Sequence, residues 1–274
     1  MGRSDGDLVP DVAPYRRMEV VLFPRRNDSA VHFTLAADVT DTLAFIERWN
    51  DGRPPEAGKL TLFTFLLHAV ARTLERHPRL NRFVAGSRLY QRRGVWLSYT
   101  AKKAMTEAAP LVVVKRRFPP GETLDALVRD LHARVRDARS DAPSYADKEV
   151  ALFLKLPLFL LRLAIRAVRR LDAWGLLPAK FIENDPFFAS AFLTNLGSIG
   201  VEAGYHHLFE YGTIPFFIVL GRAKDGVVAR DGAPAVRKVA AVKIVYDERV
   251  EDGFNAAKAL LELRHVLERP EELA

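Results

Sequence analysis

The sequence predicts one mixed α/β domain. Segments in which apolar residues recur at helical spacing are interspersed with strand-like segments along the 274-residue chain, which favours a single fold of mixed class. The sequence contains no internal repeat, and no glycine-rich turn between a strand and a helix favours a dinucleotide-binding fold. Residues 1–14 are rich in Asp, Gly and Pro and are predicted to be a flexible arm, so the predicted domain covers residues 15–274.

The predicted elements follow from local patterns, in chain order. Strands are predicted where apolar and polar residues alternate or β-branched residues cluster: residues 29–39, 83–85, 94–99, 111–114, 190–195, 216–221 and 239–246. Helices are predicted where apolar residues share one helical face: residues 40–49, 61–76, 124–135 and 253–267. Gly226 and Gly232 flank a polar stretch that predicts a hairpin between the last two strands.

The composition excludes several classes of site. Hydrophobic residues make up 49% of the chain and charged residues 27%, which is the balance of an ordinary globular protein. Because there is no cysteine, disulfides, thiolate metal sites and cysteine nucleophiles are excluded. The N-terminal residues are polar and contain acids, unlike a signal peptide or an arginine-rich transit peptide, which favours a cytoplasmic location.

The excess positive charge is concentrated in one segment. The formal net charge is +7, and residues 151–180 carry six basic side chains but only one acidic side chain. Because the rest of the chain is close to neutral, no nucleic-acid partner is predicted.

Within that segment, residues 152–171 (LFLKLPLFLLRLAIRAVRRL) combine leucines with four arginines on one helical face: Arg162, Arg166, Arg169 and Arg170. The apolar run is interrupted by charge and is too short to span a bilayer. One interpretation is peripheral contact between a cationic amphipathic helix and a membrane. The favoured alternative is a helix that is buried or lies at a subunit contact, with its arginines reaching water.

Three motifs are more specific than the overall pattern. The first is Tyr246-Asp247-Glu248-Arg249-Val250-Glu251-Asp252-Gly253, directly before a predicted helix. The second is Thr194-Asn195-Leu196-Gly197-Ser198-Ile199-Gly200, whose threonine lies 54 residues before Glu248. The third, a looser one, is Arg76-His77-Pro78-Arg79-Leu80-Asn81 at the end of a predicted helix.

In this order and spacing, the motifs resemble those of the acyltransferase cores of 2-oxoacid dehydrogenase complexes and of the related chloramphenicol acetyltransferase. The C-terminal motif of those cores usually reads Asp-His-Arg-x-x-Asp-Gly. The present sequence matches it at Asp247, Arg249, Asp252 and Gly253, and has Glu248 in place of the histidine.

The resemblance implies a two-layer sandwich of a mixed sheet with helices, assembled as a homotrimer with each active site between subunits. It implies coenzyme A or acyl-coenzyme A as a substrate and no metal. The family's complete subunits also carry a lipoyl domain and a subunit-binding domain, for which residues 1–14 leave no room. A free-standing domain is therefore predicted, and the apolar segment 152–171 favours a long acyl chain over acetyl as its ligand.

The resemblance also implies roles for individual residues. Glu248 stands where the family has its general base. Thr194 stands where the family has the hydroxyl that, from the facing subunit, binds the oxyanion. Asp252 and Arg249 are expected to form a charge pair that organises the turn. The remaining matched positions are expected to shape the site (Asp247, Gly253 and Asn195) or to lie beside the coenzyme (Gly197 and Ser198).

Glutamate at position 248 changes the expected chemistry. Imidazole titrates near neutrality and exchanges a thiol proton readily, whereas a carboxyl group is ordinarily a much weaker base. Three interpretations remain open. Glu248 is the base of an acyltransferase acting on an alcohol or amine, or the chain is an inactive scaffold for binding or assembly, or the base has moved to His206 or His207.

Each candidate also has a structural explanation. His206 and His207 are typical of a hydrogen-bonded loop at a subunit contact, and their spacing from Glu210 does not fit a familiar metal site. The Thr194 hydroxyl would bond the backbone at a strand end, and Asp252 before a helix is a good N-cap.

Overall fold

The computed structural model describes residues 3–102, 111–139, 157–230 and 232–273. Its strands are β1 (Gly6–Leu8), β2 (Ala30–Asp38), β3 (Arg82–Ala85), β4 (Arg88–Arg92), β5 (Val95–Lys102), β6 (Leu111–Phe118), β7 (Ala191–Asn195), β8 (Phe216–Arg230) and β9 (Ala233–Asp247). Its α-helices are α1 (Pro14–Leu22), α2 (Thr40–Asn50), α3 (Leu62–Arg76), α4 (Leu124–Arg139), α5 (Leu158–Trp174), α6 (Ala179–Asn184) and α7 (Gly253–Glu268).

Six strands form a mixed sheet in the order β2-β9-β8-β7-β5-β6. Strand β7 runs parallel to both β5 and β8, and the other neighbours are antiparallel. The two longest strands, β8 and β9, form the hairpin that the flanking glycines predict. A second, three-stranded antiparallel sheet has the order β1-β4-β3.

Helices cover one face of the large sheet. Because side chains alternate along a strand, Leu193 and Ile218 face the main core, where they meet buried residues of α3 and α7 such as Phe65 and Leu263. Helix α3 begins at Thr61, whose hydroxyl accepts a hydrogen bond from the N–H of Thr64 at 3.1 Å. The predicted two-layer α/β architecture is therefore confirmed.

The opposite face of the sheet carries a second apolar cluster. Phe192, Phe217 and Val245 lie on this face and pack with Leu208 and Ile214 from the loop that joins β7 to β8. The loop takes the place that a second helical layer would have, and it holds the ring of His206 against Phe217 of the sheet.

The described part of the predicted N-terminal arm is fixed to the domain. Residues Gly6–Leu8 pair with β4, and the buried guanidinium of Arg3 lies 2.7 Å from the carboxylate of Asp172 on α5. The prediction of a flexible arm fails for these residues because polar composition cannot show a charge partner far along the chain.

Helix α5 corresponds to the basic segment, of which residues 152–156 lie outside the described part of the chain. It ends at Gly175, whose φ of 70° is a left-handed conformation that favours glycine. No residue of α5, which is described over its whole length, is buried. The prediction of a buried helix is therefore wrong for the single chain, because only one side of α5 reaches the body of the domain. Among the described residues, no helix has the length and apolar character needed to cross a membrane.

Candidate functional site

The turn between β9 and α7 is held by a buried ion pair. The guanidinium of Arg249 lies 2.7 Å from the carboxylate of Asp247, and both side chains are buried. The hydroxyl of Ser29 donates a second hydrogen bond to Asp247 at 2.8 Å, and Arg249 donates to the backbone carbonyl of Phe23 at 2.7 Å. This pair ties the end of β9 to the segment that precedes β2.

The expected charge pair between Arg249 and Asp252 does not form, because Asp247 occupies the guanidinium of Arg249. Asp252 instead caps helix α7, accepting a hydrogen bond from the N–H of Asn255 at 2.9 Å. That hydrogen bond lowers the pKa of the Asp252 carboxyl. Gly253 is the first residue of the helix.

Glu248 lies in this turn with its backbone fixed and its side chain half-exposed. Its N–H donates to the carbonyl of Ser29 at 3.0 Å, and its carbonyl accepts a hydrogen bond from the guanidinium of Arg16 on α1. Among the described residues, its carboxylate has no hydrogen-bond or ion-pair partner. The turn therefore positions Glu248 and leaves its carboxylate available to a ligand or to another subunit.

Carboxylates surround the guanidinium of Arg16, an arrangement that the sequence does not reveal. Its guanidinium pairs with Glu19 at 3.0 Å and lies 4.0 Å from both Glu251 and Asp252. Burial raises the pKa of Glu19; Arg16 opposes this shift, and the charge of Glu248 adds to it. The buried Glu251 is paired more closely with Arg79 of the third motif, at 2.6 Å.

The second motif shapes the end of β7. The hydroxyls of Thr194 and Thr100 lie 2.9 Å apart, across the parallel pairing of β7 with β5. The Asn195 side chain accepts a hydrogen bond from the N–H of Ser198 at 3.1 Å, which closes the following turn. A Cβ on Gly197 would lie 2.7 Å from the carbonyl oxygen of Gly221, so a larger residue would displace the neighbouring strand.

A cavity of about 470 Å³ opens beside Thr194. Its polar lining includes Thr194, Asn195, Ser198, Thr100, Lys59 and His132. Its apolar lining comes mainly from α3, α4 and the turn after β7: Phe63, Leu67, Val128, Leu131, Val135, Leu196 and Ile199. His132 lies on the helical wall of the cavity, and only its helical spacing from Val128 and Val135 could have placed it there from the sequence.

Thr194 and Glu248 do not meet within one chain. In the sheet register, Thr194 pairs with Val219, and Val219 pairs with Lys243. Glu248 follows Lys243 by five residues, which is about 16 Å along a strand at about 3.3 Å per residue. Two strand spacings separate them sideways as well.

The two histidines are placed apart from this cavity. The ring of His206 stacks on Phe217 with 3.9 Å between centroids, and its Nδ1 lies 2.7 Å from the carbonyl of His207. His207 is exposed, and neither ring lines the cavity beside Thr194. The Glu210 carboxylate binds Asn27, and no group of side chains in the described ranges is arranged to hold a metal ion.

Comparison with known proteins gives one family. The family model described as 2-oxoacid dehydrogenases acyltransferase (catalytic domain) matches residues 14–103 and 188–274. No curated protein matches the sequence significantly.

Several solved structures share the fold. A probable dihydrolipoamide acetyltransferase from Listeria monocytogenes is 17% identical, with a TM-score of 0.64 over 98% of this chain and 96% of that chain. The cubic core of the pyruvate dehydrogenase multienzyme complex is 20% identical, with a TM-score of 0.63 over 97% and 93%. Chloramphenicol acetyltransferase is 11% identical, with a TM-score of 0.57 over 96% and 99%. The resemblance drawn from the motifs is confirmed, as is the fold it implies.

Proposed function

Because the chain belongs to the 2-oxoacid dehydrogenase acyltransferase family (catalytic domain), we propose that it transfers an acyl group from a coenzyme A thioester to a hydroxyl or amine acceptor. Thr194 of one subunit and Glu248 of the next form each active site. The observation that carries the proposal is the cavity beside Thr194, which joins a hydroxyl donor to an apolar wall within one chain.

The cavity is suited to a thioester with an apolar acyl chain. Phe63, Leu67 and Val128 offer aliphatic and aromatic contacts, while the exposed Lys59 at the rim offers a positive charge to a phosphate of the coenzyme. Ser198 borders the same space, and the coenzyme approaches the backbone at the turn that contains Gly197. Because apolar surface favours apolar ligands, acyl chains longer than acetyl are the preferred donors.

The reaction uses two groups, the hydroxyl of Thr194 and the carboxylate of Glu248. When Thr100 donates its hydroxyl proton to Thr194 Oγ1, the Thr194 proton is free to bind the oxyanion that forms as the acceptor attacks the thioester carbonyl. The Glu248 carboxylate takes the proton of the acceptor. The carbon–sulfur bond then breaks, and the proton passes to the departing thiolate.

We propose a homotrimer, because the separation of the two groups calls for a second subunit and a head-to-tail ring brings Glu248 of one copy to the cavity of its neighbour. We also propose residues 15–274 as one domain, a cytoplasmic location, and a reaction that needs no metal. Asp247, Arg249 and Asp252 act in this site by holding the turn that carries Glu248.

One observation favours a second candidate function, that of an inactive scaffold. The turn around Glu248 is fully braced by Arg16, Asp247 and Asp252 without any need for catalysis. The same geometry therefore also fits an inactive trimeric scaffold. A relocated base at His207 has less support, because that side chain does not line the cavity.

Thiol release from coenzyme A thioesters of increasing chain length tests the proposal. Glu248→Gln should lower kcat about 10²- to 10⁴-fold, and Thr194→Val should lower it about 10²- to 10³-fold, with little change for His207→Ala. Binding of each thioester is measured separately by calorimetry. Binding without turnover in the wild type identifies the scaffold, whereas loss of activity only in His207→Ala identifies a relocated base.

A further inference from the structure

Helix α5 presents four arginines that nothing in the described protein neutralises. Within the described residues, these side chains are all exposed and form no hydrogen bond or ion pair: Arg162, Arg166, Arg169 and Arg170. Elsewhere in the chain, exposed arginines such as Arg48, Arg76 and Arg264 are paired with glutamates. Four adjacent guanidinium groups without a partner among the described residues make this helix a candidate surface for an anionic partner.

Three of the arginines (Arg162, Arg166 and Arg170) lie on the outer side of the helix, and Arg169 lies at its edge, where it also lines a cavity against the body of the domain. At about 100° per residue, they fall within about 100° of arc, opposite the side formed by Leu161, Ala164, Val168 and Leu171. That inner side is half-buried, and Val168 and Leu171 pack against the small cluster around Phe188. The one acidic residue of the helix, Asp172, is turned toward the body and bound by Arg3.

Large apolar side chains accompany the arginines on the outer side. Phe159, Leu163 and Trp174 are 67%, 60% and 62% exposed, and they form a strip about 60° wide beside the arginines at about 100° per residue. Exposed apolar area of this kind marks a binding surface rather than ordinary solvent contact. The partner must accordingly be both anionic and apolar.

The helix also lies outside the residues that the family model matches, which are 14–103 and 188–274. The match to the family model therefore does not account for this surface.

We propose that the outer side of α5 docks onto an anionic lipid bilayer. A bilayer offers phosphate groups and an apolar boundary side by side along the length of a helix lying in its plane, which is the arrangement that α5 requires. The arginines bind the lipid phosphates, while Phe159, Leu163 and Trp174 enter the boundary between headgroups and acyl chains. Because no described helix is long and apolar enough to cross the bilayer, the contact is peripheral.

Flotation with lipid vesicles tests this docking, using the full-length protein. Vesicles of phosphatidylcholine alone are compared with vesicles containing 30% phosphatidylglycerol, about the anionic level that attracts basic segments. The wild type should float with the anionic vesicles only, and salt should weaken the binding. Arg166→Glu/Arg170→Glu should weaken it about twentyfold or more, because each arginine near such a surface contributes about fivefold.

A second pair of variants separates the apolar contribution from the charge. Phe159→Ser/Leu163→Ser should also bind less, even at low salt, because it loses the inserted side chains. The matched control is Arg117→Glu/Arg222→Glu, which makes the same change of net charge at exposed positions away from α5 and should float like the wild type. Melting curves and size-exclusion chromatography confirm that each variant is folded.

Three results would overturn the proposal. The first is failure of the wild type to float with anionic vesicles. The second is an equal loss of flotation in the control pair, which would reveal a response to net charge alone. The third is a smaller oligomer in the α5 variants without any lipid effect, which would assign the surface to a second copy of the chain. Acyl transfer without flotation would leave the proposed function intact.

Discussion

Thr194 on β7 and Glu248 after β9 lie two strands apart and about 16 Å apart along the strand direction, at about 3.3 Å per residue. A single chain therefore holds Thr194 beside its cavity and Glu248, the candidate base, at another end of the sheet. Catalysis by these two residues requires that Glu248 of one copy reaches the Thr194 cavity of a neighbouring copy, as it would in a closed head-to-tail ring.

Mixing two inactive variants should restore activity. When Thr194→Val and Glu248→Gln chains are co-expressed and assemble at random, about one quarter of the interfaces in a head-to-tail ring combine an intact threonine with an intact glutamate. Thiol release by the purified mixed oligomer should reach about that fraction of the wild-type rate.

The control is a mixture of the two variants purified separately and not allowed to exchange subunits, which should stay inactive. Co-expression of the double variant Thr194→Val/Glu248→Gln with the wild type should also leave about one quarter of the interfaces intact. If that mixture instead keeps about one half of the wild-type rate while the complementing pair stays inactive, the two residues act within one subunit and the ring model fails.

Arg16 should matter to both folding and turnover. Its guanidinium joins α1 to the carbonyl of Glu248 and neutralises the surrounding carboxylates. Arg16→Met should lower the free energy of unfolding by about 1.5–3 kcal/mol, the usual contribution of a buried hydrogen bond from a charged group. Urea denaturation measures this change, and kcat should fall because the backbone of Glu248 is no longer held.

The neighbouring Arg17 provides the control, since it is exposed and, among the described residues, its guanidinium has a single hydrogen bond, to the carbonyl of Pro10 at 3.3 Å. Arg17→Met should leave both quantities close to wild type. An Arg16→Met protein as stable as Arg17→Met would mean that the contact with Glu248 carries no energy.

The Asp247–Arg249 pair should be among the most sensitive positions of the chain. Both side chains are buried, so Asp247→Asn leaves a buried guanidinium without its counter-charge. Removing one partner of such a pair costs about 3–5 kcal/mol. Thermal and urea unfolding should show the loss, whereas Glu202→Gln, which breaks the exposed pair with Lys224, should leave the unfolding curve unchanged.

The periodic elements could be predicted from sequence because their burial repeats along the chain. Buried residues alternate with more exposed ones along much of β9 and recur at helical spacing along α7. Prediction and structure therefore agree for these two elements. Helix α1 was not predicted: it has nine residues, and Met18, Val21 and Leu22 are exposed rather than buried. Nine residues make about two and a half helical turns, which gives few repeats from which a helical period could be recognised in the sequence.

Only the local structure of the site, the turn around Glu248, could be predicted from the sequence. The motif around Glu248 indicated a turn before a helix, which the cap by Asp252 explains. It could not indicate Arg16, because that contact joins residues far apart in sequence. The expected partner of Arg249 was wrong for a related reason: two carboxylates lay within reach, and only the folded turn decides between Asp247 and Asp252.

The cap itself can be tested by comparing two replacements of Asp252. Asp252→Ala removes the acceptor for the N–H of Asn255 and should cost about 1 kcal/mol of stability, whereas Asp252→Asn keeps an acceptor and should cost less. Equal losses in urea denaturation for both would show that the charge matters rather than the cap.

The carboxyl group of Asp252 should also make the stability of the protein depend on pH. Because its pKa is lowered in the folded state, Asp252 stabilises the protein above its ordinary pKa and loses this contribution as the pH falls through the lowered value. The Asp252→Asn variant should lack that part of the acid dependence.

His68 should make stability depend on pH nearer to neutrality. It is buried in α3, and burial lowers its pKa to about 4, with the charge of Arg72 acting in the same direction. Since the unfolded chain protonates near the ordinary value while the folded chain does not, the free energy of unfolding falls as the pH drops from about 6.5 toward 4. At about pH 5.5 the loss should be on the order of 1 kcal/mol relative to high pH.

Urea unfolding at pH 7.5, 6.5 and 5.5, about the range over which histidine titrates, measures this loss. In His68→Gln the dependence should flatten by about that amount, because glutamine takes up no proton. Replacement of the exposed His207 by glutamine is the matched control and should keep the wild-type slope. A slope unchanged in His68→Gln would mean that water or a local rearrangement accommodates the protonated ring of His68 inside the folded helix layer.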